Sequence, residues 1–290
     1  MPAGDLRRSR RDVLLGAVGL GLAAAGCASE PEDVPVRTGA TSSAPGTLSA
    51  ATPTAPPEPV TVERVRSAAR GTEVELVVMR PEDAGRELPV CLALHGRNEG
   101  AGMFVDLGLP DVLTSLVNYQ GVPPFAVVAV DGGDSSYWVS RDSGDDPQRM
   151  LREDMPAWLA ERGLSTNPFA VLGISMGGYG ALNYATNVHN PAVAVLSPAL
   201  FLSWPEAEAR DVFTDEQQWR ETDPLQNLDD ITGLPIGVWC GETDPFIDGA
   251  RRLIEQAGPT VAEVEPGDHD DVYWRKVLPD ALKFVGSHVA

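Results

Sequence analysis

The stretch Gly173-Ile174-Ser175-Met176-Gly177 places a serine between two glycines. This is the pattern of a nucleophile elbow, in which Ser sits on a tight turn between a strand and a helix. The glycines matter because a side chain there would clash as strand and helix close together. The plain alternative is a structural Gly-rich turn. Residues 169–174 read as a buried strand and 177–188 as a helix, which favours the elbow.

A serine hydroxyl attacks only with a base in hydrogen-bond reach. The chain has four histidines. His189 ends the helix behind the elbow, His288 lies near the C-terminus, and His95 precedes the serine in a different motif. His269 remains, in Pro266-Gly267-Asp268-His269-Asp270. Triads built on such an elbow run Ser, acid, His in chain order, and His269 fits. The acid is expected in Gly241-Glu242-Thr243-Asp244-Pro245, after another strand. Asp244, farther into the loop and just before a helix, is the first choice, and Glu242 is the reserve. A helix cap is the bland role for such an Asp, and a surface loop the bland setting for His269. The acid would hold the imidazole tautomer and stabilise imidazolium. A developing oxyanion needs backbone N–H donors. Met176, after the nucleophile, should give one, and Arg97 in Leu94-His95-Gly96-Arg97-Asn98 the other. His95 is then a structural residue of that loop.

The elements that would hold these residues follow from periodicity. Residues 60–66 and 72–79 alternate apolar and polar, as half-exposed antiparallel strands do. Residues 89–94, 125–130, 169–174, 192–196 and 235–240 are near-continuous apolar runs, the mark of strands buried on both faces. Residues 260–265 make an eighth strand. Helices are predicted over 110–118, 146–162, 177–188, 247–256 and 271–288. This order predicts a mostly parallel sheet covered on both faces. Residues 199–232 break the rhythm with Trp204, Phe213, Trp219 and Leu225 among many acids. They read as a short cap over the C-terminal edge of the sheet. Its aromatic residues either pack the cap or line an acyl channel.

The N-terminus carries a different signal. Arg7, Arg8, Arg10 and Arg11 precede an apolar run over 13–26, too short to span a bilayer but suited to a signal-peptide core. Ser9-Arg10-Arg11-Asp12-Val13-Leu14 resembles a twin-arginine export signal. Ala24-Ala25-Gly26-Cys27 resembles the lipobox of bacterial lipoproteins, with Ala24 where Leu is usual. Ala, Ser, Thr, Pro and Gly make up 24 of the 32 residues over 28–59, which contain no aromatic residue. Such a segment buries too little apolar surface to offset its ordering entropy. As a coil it reaches about 30 Å, enough to hold a domain off a membrane. The expected organisation is therefore signal peptide 1–26, linker 27–59 and catalytic domain 60–290. Export, either membrane-anchored through a lipidated Cys27 or secreted, is the expected location.

Composition narrows the partners. A formal net charge of −20 repels phosphate backbones. Nucleic acid is not an expected partner, and polyanionic substrates are disfavoured. Cys91 and Cys240 fall in strands three sheet positions apart, about 14 Å at about 4.8 Å per spacing. A disulfide needs Cα atoms within about 7 Å, so both read as buried free thiols. No zinc-ligand spacing, dinucleotide fingerprint or P-loop occurs, so no cofactor or metal is expected. Asp268, Asp270 and Asp271 lack the spacing of a calcium loop and read as solvated.

Six segments carry a resemblance. They are His95-Gly96, Asp131-Gly132-Gly133-Asp134-Ser135-Ser136-Tyr137, Pro156-Ala157-Trp158-Leu159, the elbow at 173–178, the loop at 241–244, and Gly267-Asp268-His269. Together they resemble the esterase D and mycolyltransferase branch of the α/β hydrolases, which includes S-formylglutathione hydrolases and feruloyl esterases. The likeness spans about residues 90–285. It implies the α/β-hydrolase fold, an α/β architecture with an eight-stranded mostly parallel sheet. It also implies a serine hydrolase, first a carboxylic-ester hydrolase. The second implied activity is acyl transfer to cell-envelope sugars or lipids. A binding domain that kept the fold is the third reading. Mycolyltransferases carry a similar Gly-Gly-x-Ser-Ser segment and often use Glu as the acid, which keeps Glu242 in play.

Overall fold

The computed structural model describes residues 57–142 and 144–289. The expected signal peptide, Cys27 and nearly all of the linker lie outside the described residues. The sheet forms where the sequence concentrates Val, Ala and Leu. Its strands are β1 Val60–Arg66, β2 Glu73–Met79, β3 Val90–Leu94, β4 Ala126–Val130, β5 Ala170–Ile174, β6 Ala192–Leu196, β7 Ile236–Gly241 and β8 Val261–Glu265. Their order across the sheet is β1-β2-β4-β3-β5-β6-β7-β8. β2 is antiparallel to both β1 and β4, and the remaining neighbours pair in parallel.

Period-two alternation splits the core across this sheet. On β3, Val90, Leu92 and Leu94 face one apolar cluster, while Cys91 and Ala93 face the other. The helices are α1 Met103–Asp106, α2 Leu109–Gln120, α3 Pro147–Arg149, α4 Met155–Glu161, α5 Met176–Thr186, α6 Trp204–Glu208, α7 Glu216–Thr222, α8 Ile247–Ala257 and α9 Asp271–Gly286. Apolar residues of α4, α5 and α8 join the first cluster, and those of α1, α2 and α9 the second. Both faces are thereby covered, as parallel strands require.

Cys91 and Cys240 are buried free thiols. Besides their separation in the sheet, they face opposite clusters. Burial pushes both thiols well above their ordinary pKa.

The structure departs from the sequence expectation in β2, where residues 76–79 are buried rather than half-exposed, and in residues 146–162. The helix predicted over 146–162 is divided, with a π-helical turn at Met150–Asp154 between α3 and α4. Pro156 has no N–H to return to the Arg152 carbonyl, and its ring would strike that carbonyl in a regular α-turn. A widened turn relieves this. The region expected as a cap holds two short helices, α6 and α7. Asp215 caps α7 by accepting the Gln218 amide at 2.8 Å. Trp204 packs against Trp219 with ring centroids 6.1 Å apart. Phe213 lies 6.3 Å from Tyr137 and 5.9 Å from Tyr179. The cap aromatics thus pack with each other and with the main domain.

Candidate active site

Ser175 occupies the turn between β5 and α5 with φ 55° and ψ −117°. A positive φ on a non-glycine residue costs about 1–3 kcal/mol and must be held by its surroundings. Here the Ser175 amide donates to the Leu196 carbonyl at 2.9 Å. Its carbonyl accepts the Gly178 amide at 2.9 Å and the Ala199 amide at 3.0 Å. The two elbow glycines permit the crossing. A Cβ on Gly173 would overlap the Gly177 carbonyl, and a Cβ on Gly177 would overlap the Leu94 carbonyl.

His269 stands between β8 and α9. Ser175 Oγ lies 2.8 Å from His269 Nε2, and His269 Nδ1 lies 2.8 Å from Asp244 Oδ2. With Nδ1–H donating to the carboxylate, Nε2 is left to accept the serine proton. Phe246 and Trp274 flank the imidazole, with centroids 5.2 and 5.3 Å away. Asp244 is only 2% exposed. Burial alone would raise its pKa. The His269 hydrogen bond, the neighbouring Ser197 hydroxyl and the Phe246 amide instead hold it below the usual carboxylate value. The Phe246 amide reaches Asp244 Oδ1 at 2.7 Å, so Asp244 shapes the turn into α8 as well as meeting His269. Glu242 is exposed, and its amide pairs with the Glu265 carbonyl at 2.9 Å. The structure therefore brings Asp244, not Glu242, to His269.

The acids around His269 have local partners. Asp268 accepts the His269 amide at 2.8 Å, and Asp270 caps α9 by accepting the Tyr273 amide at 2.9 Å. Asp271 pairs with Arg275 at 3.4 Å.

The loop after β3 is tied to the segment after β4. His95 Nδ1 donates to the Gly96 carbonyl at 2.8 Å, and Nε2 accepts the Gly132 amide at 2.9 Å. Accepting that bond requires a neutral ring, and burial holds the His95 pKa down. Trp138 Nε1 donates to the His95 carbonyl at 3.3 Å, and the Asn98 amide to the Asp134 carbonyl at 2.6 Å. Arg97 sits inside this clamp with Gly96 beside Ser175. Met176 is the first residue of α5, where the N–H has no intrahelical acceptor. Among the described residues, neither amide donates to a protein acceptor.

A cavity of about 230 Å³ opens on Ser175 and His269. Tyr137, Phe246 and Trp274 supply its aromatic walls, and Arg97 and Arg210 bring charge. A larger cavity of about 520 Å³, lined by Arg152, Tyr184 and His189 among others, adjoins Pro168 at the start of β5, the end opposite Ser175. It holds no nucleophile paired to a base. Phe246, Trp274 and Arg210 carry no motif and were not legible as site residues.

A family model described as "Putative esterase" matches residues 67–285. The chain belongs to this esterase family. As a hydrolase it shares its fold with several solved structures. A ferulic acid esterase superposes with a TM-score of 0.67 at 22% identity, covering 79% of this esterase and 98% of that chain. An S-formylglutathione hydrolase from Agrobacterium tumefaciens gives 0.63 at 17% identity, with coverages of 80% and 95%. Mycobacterium tuberculosis MPT51 gives 0.63 at 18% identity, with coverages of 81% and 100%. No curated protein matches the sequence. The eight-stranded, mostly parallel sheet with helices on both faces is the α/β-hydrolase fold.

Proposed function

We propose that this esterase is exported and cleaves carboxylic esters through an acyl-enzyme on Ser175. The observation that carries the reading is the unbroken hydrogen-bonded line Ser175–His269–Asp244, with 2.8 Å at each step. Ser175 Oγ attacks the ester carbonyl carbon as His269 Nε2 takes its proton. The carbonyl oxygen becomes an oxyanion, and the Arg97 and Met176 amides donate to it. The ionised Asp244 stabilises the imidazolium and keeps Nδ1 as the protonated nitrogen. Collapse breaks the ester C–O bond, and His269 returns the proton to the departing alcohol. A water then attacks the acyl carbon, with His269 again taking a proton and passing it to Ser175 Oγ as the acid leaves.

The cavity of about 230 Å³ is smaller than most drug-sized ligand sites, which run from about 300 Å³ upward. It favours short acyl groups. With a p-nitrophenyl series from acetate to palmitate, kcat/KM should peak at short chains and fall at least about tenfold by palmitate. A maximum at palmitate would remove the short-acyl preference, and no hydrolysis of any member would remove the esterase mechanism.

Export rests on the paired arginines Arg10-Arg11 and the apolar run over 13–26. Cys27 is placed to take a lipid, and the segment that follows is suited to act as a tether.

A further inference from the structure

The catalytic cavity contains a guanidinium that the ester chemistry does not use. Arg210 follows α6 and, alone among residues 199–232, lines the cavity that holds Ser175 and His269. It also lines an adjoining cavity of about 160 Å³, which shares Phe246. Its guanidinium carbon lies 5.5 Å from the Phe201 ring centroid and 5.1 Å from that of Phe246. Nε is buried without an acceptor. Among the described residues, the Arg210 side chain has no carboxylate within ion-pairing distance and no hydrogen-bond acceptor.

Arg64, Arg66, Arg152 and Arg252 also lack an ion-pair or hydrogen-bond partner among the described residues, but they are exposed, and of these five arginines only Arg210 lines the cavity of Ser175 and His269. Arg70 pairs with Asp145, and Arg162 with Glu63 at 2.7 Å. The carboxylates that line these two cavities are Glu99 in the first and Glu206 and Asp248 in the adjoining one. Glu206 accepts the Leu202 amide at 2.9 Å, and Asp248 lies 3.8 Å from Arg251. The second guanidinium of the cavity, Arg97, donates Nε to the Ser135 hydroxyl at 2.9 Å and has no carboxylate partner among the described residues. Two aromatic rings pack against the Arg210 guanidinium, and its Nη groups have no protein acceptor among the described residues. A fixed guanidinium fork matches a carboxylate in shape and charge.

We infer that Arg210 is a specificity-determining residue that selects esters carrying a carboxylate. The inference rests on the esterase reading and adds the substrate's charge to it. Substrate discrimination by such a group comes from one charge-assisted contact that a neutral isostere cannot make.

Two matched pairs test it. The acyl-side pair is p-nitrophenyl hemisuccinate against p-nitrophenyl 4-methylpentanoate, in which an isopropyl group replaces the carboxylate. The alcohol-side pair is 4-carboxyphenyl acetate against 4-acetylphenyl acetate. The expected result is that Arg210→Gln lowers kcat/KM for the charged member of one pair by about tenfold or more. The neutral members should change by less than about twofold, which also shows that the site still folds. Arg210→Lys should restore part of the loss. An equal change for charged and neutral members in both pairs would overturn the inference and leave the esterase reading standing. Hydrolysis of none of the four esters by the wild-type protein would overturn both.

Discussion

Asp244 shows how one side chain serves architecture and chemistry at once. One carboxylate oxygen receives the Phe246 amide and starts the turn into α8, while the other receives His269 Nδ1. Replacing it with Asn keeps the size but offers the imidazole an amide that permits the wrong tautomer. Asp244→Asn should therefore lower kcat about 10³- to 10⁴-fold with little change in KM. The sign of the pH effect follows from its lowered pKa. A carboxylate held below its unfolded value contributes stability above that value and loses it as pH falls through the folded value. The stability difference between wild type and Asp244→Asn should be steady near neutrality and shrink below about pH 4, as urea unfolding at several pH values would show. A difference that grew in acid would refute the assignment. The grouping of Ser175, His269 and Asp244 could be anticipated from sequence because their order and flanking strands follow the elbow pattern. Arg210 could not, because nothing in its neighbours distinguishes it from a solvated arginine until the cap is folded over the sheet.

At the level of elements, strands were far easier to read than the cap. Ala126-Val127-Val128-Ala129-Val130 is buried along its whole length, and so shows a continuous apolar run. The cap helices α6 and α7 have only five and seven residues, too few for a clear period, and acids crowd them. Their stability comes from buried contacts formed only in the folded chain. Asp223 is the central one. It is fully buried, accepts Trp219 Nε1 at 2.8 Å, and accepts the Leu225 and Gln226 amides at 2.9 and 3.2 Å. Burial, opposed by these three donors, raises its pKa to about 7. A carboxyl group raised in the folded state stabilises the fold fully below its unfolded value and loses that contribution as pH rises through about 7. Wild type should therefore lose stability relative to Asp223→Asn between about pH 4 and pH 8. Thermal unfolding of both proteins across that range measures this. Parallel curves would mean that Asp223 stays ionised throughout. The π-helical turn was equally hidden, since a periodicity argument reads 146–162 as one helix and passes over the Pro156 clash.

For the whole molecule, the sheet carries three loops to one edge. The turn after β5 brings Ser175, the loop after β7 brings Asp244, and the loop after β8 brings His269, residues separated by up to 94 positions in the chain. Parallel strands put all three at the same C-terminal edge, which is where open α/β sheets build their sites. The antiparallel strands β1 and β2 lie toward the other end of the sheet and contribute no triad residue. The proposed export signal makes a prediction about where this esterase works. Wild-type protein expressed in a bacterium with twin-arginine export and lipoprotein processing should fractionate with the membrane, and Cys27→Ser should move it to the soluble extracytoplasmic or culture fraction. Equal partitioning of the two would contradict a lipid anchor at Cys27.

The proposed chemistry depends first on Ser175 as the nucleophile. Its most direct measurement is reaction with a fluorophosphonate, followed by intact-mass analysis and peptide mapping, with Ser175→Ala in parallel. One adduct is expected on wild type, located at Ser175, together with complete loss of ester hydrolysis. Ser175→Ala should take no adduct, show no turnover and remain folded. An adduct at another residue, an unmodified wild-type protein, or wild-type turnover in the variant would contradict that assignment.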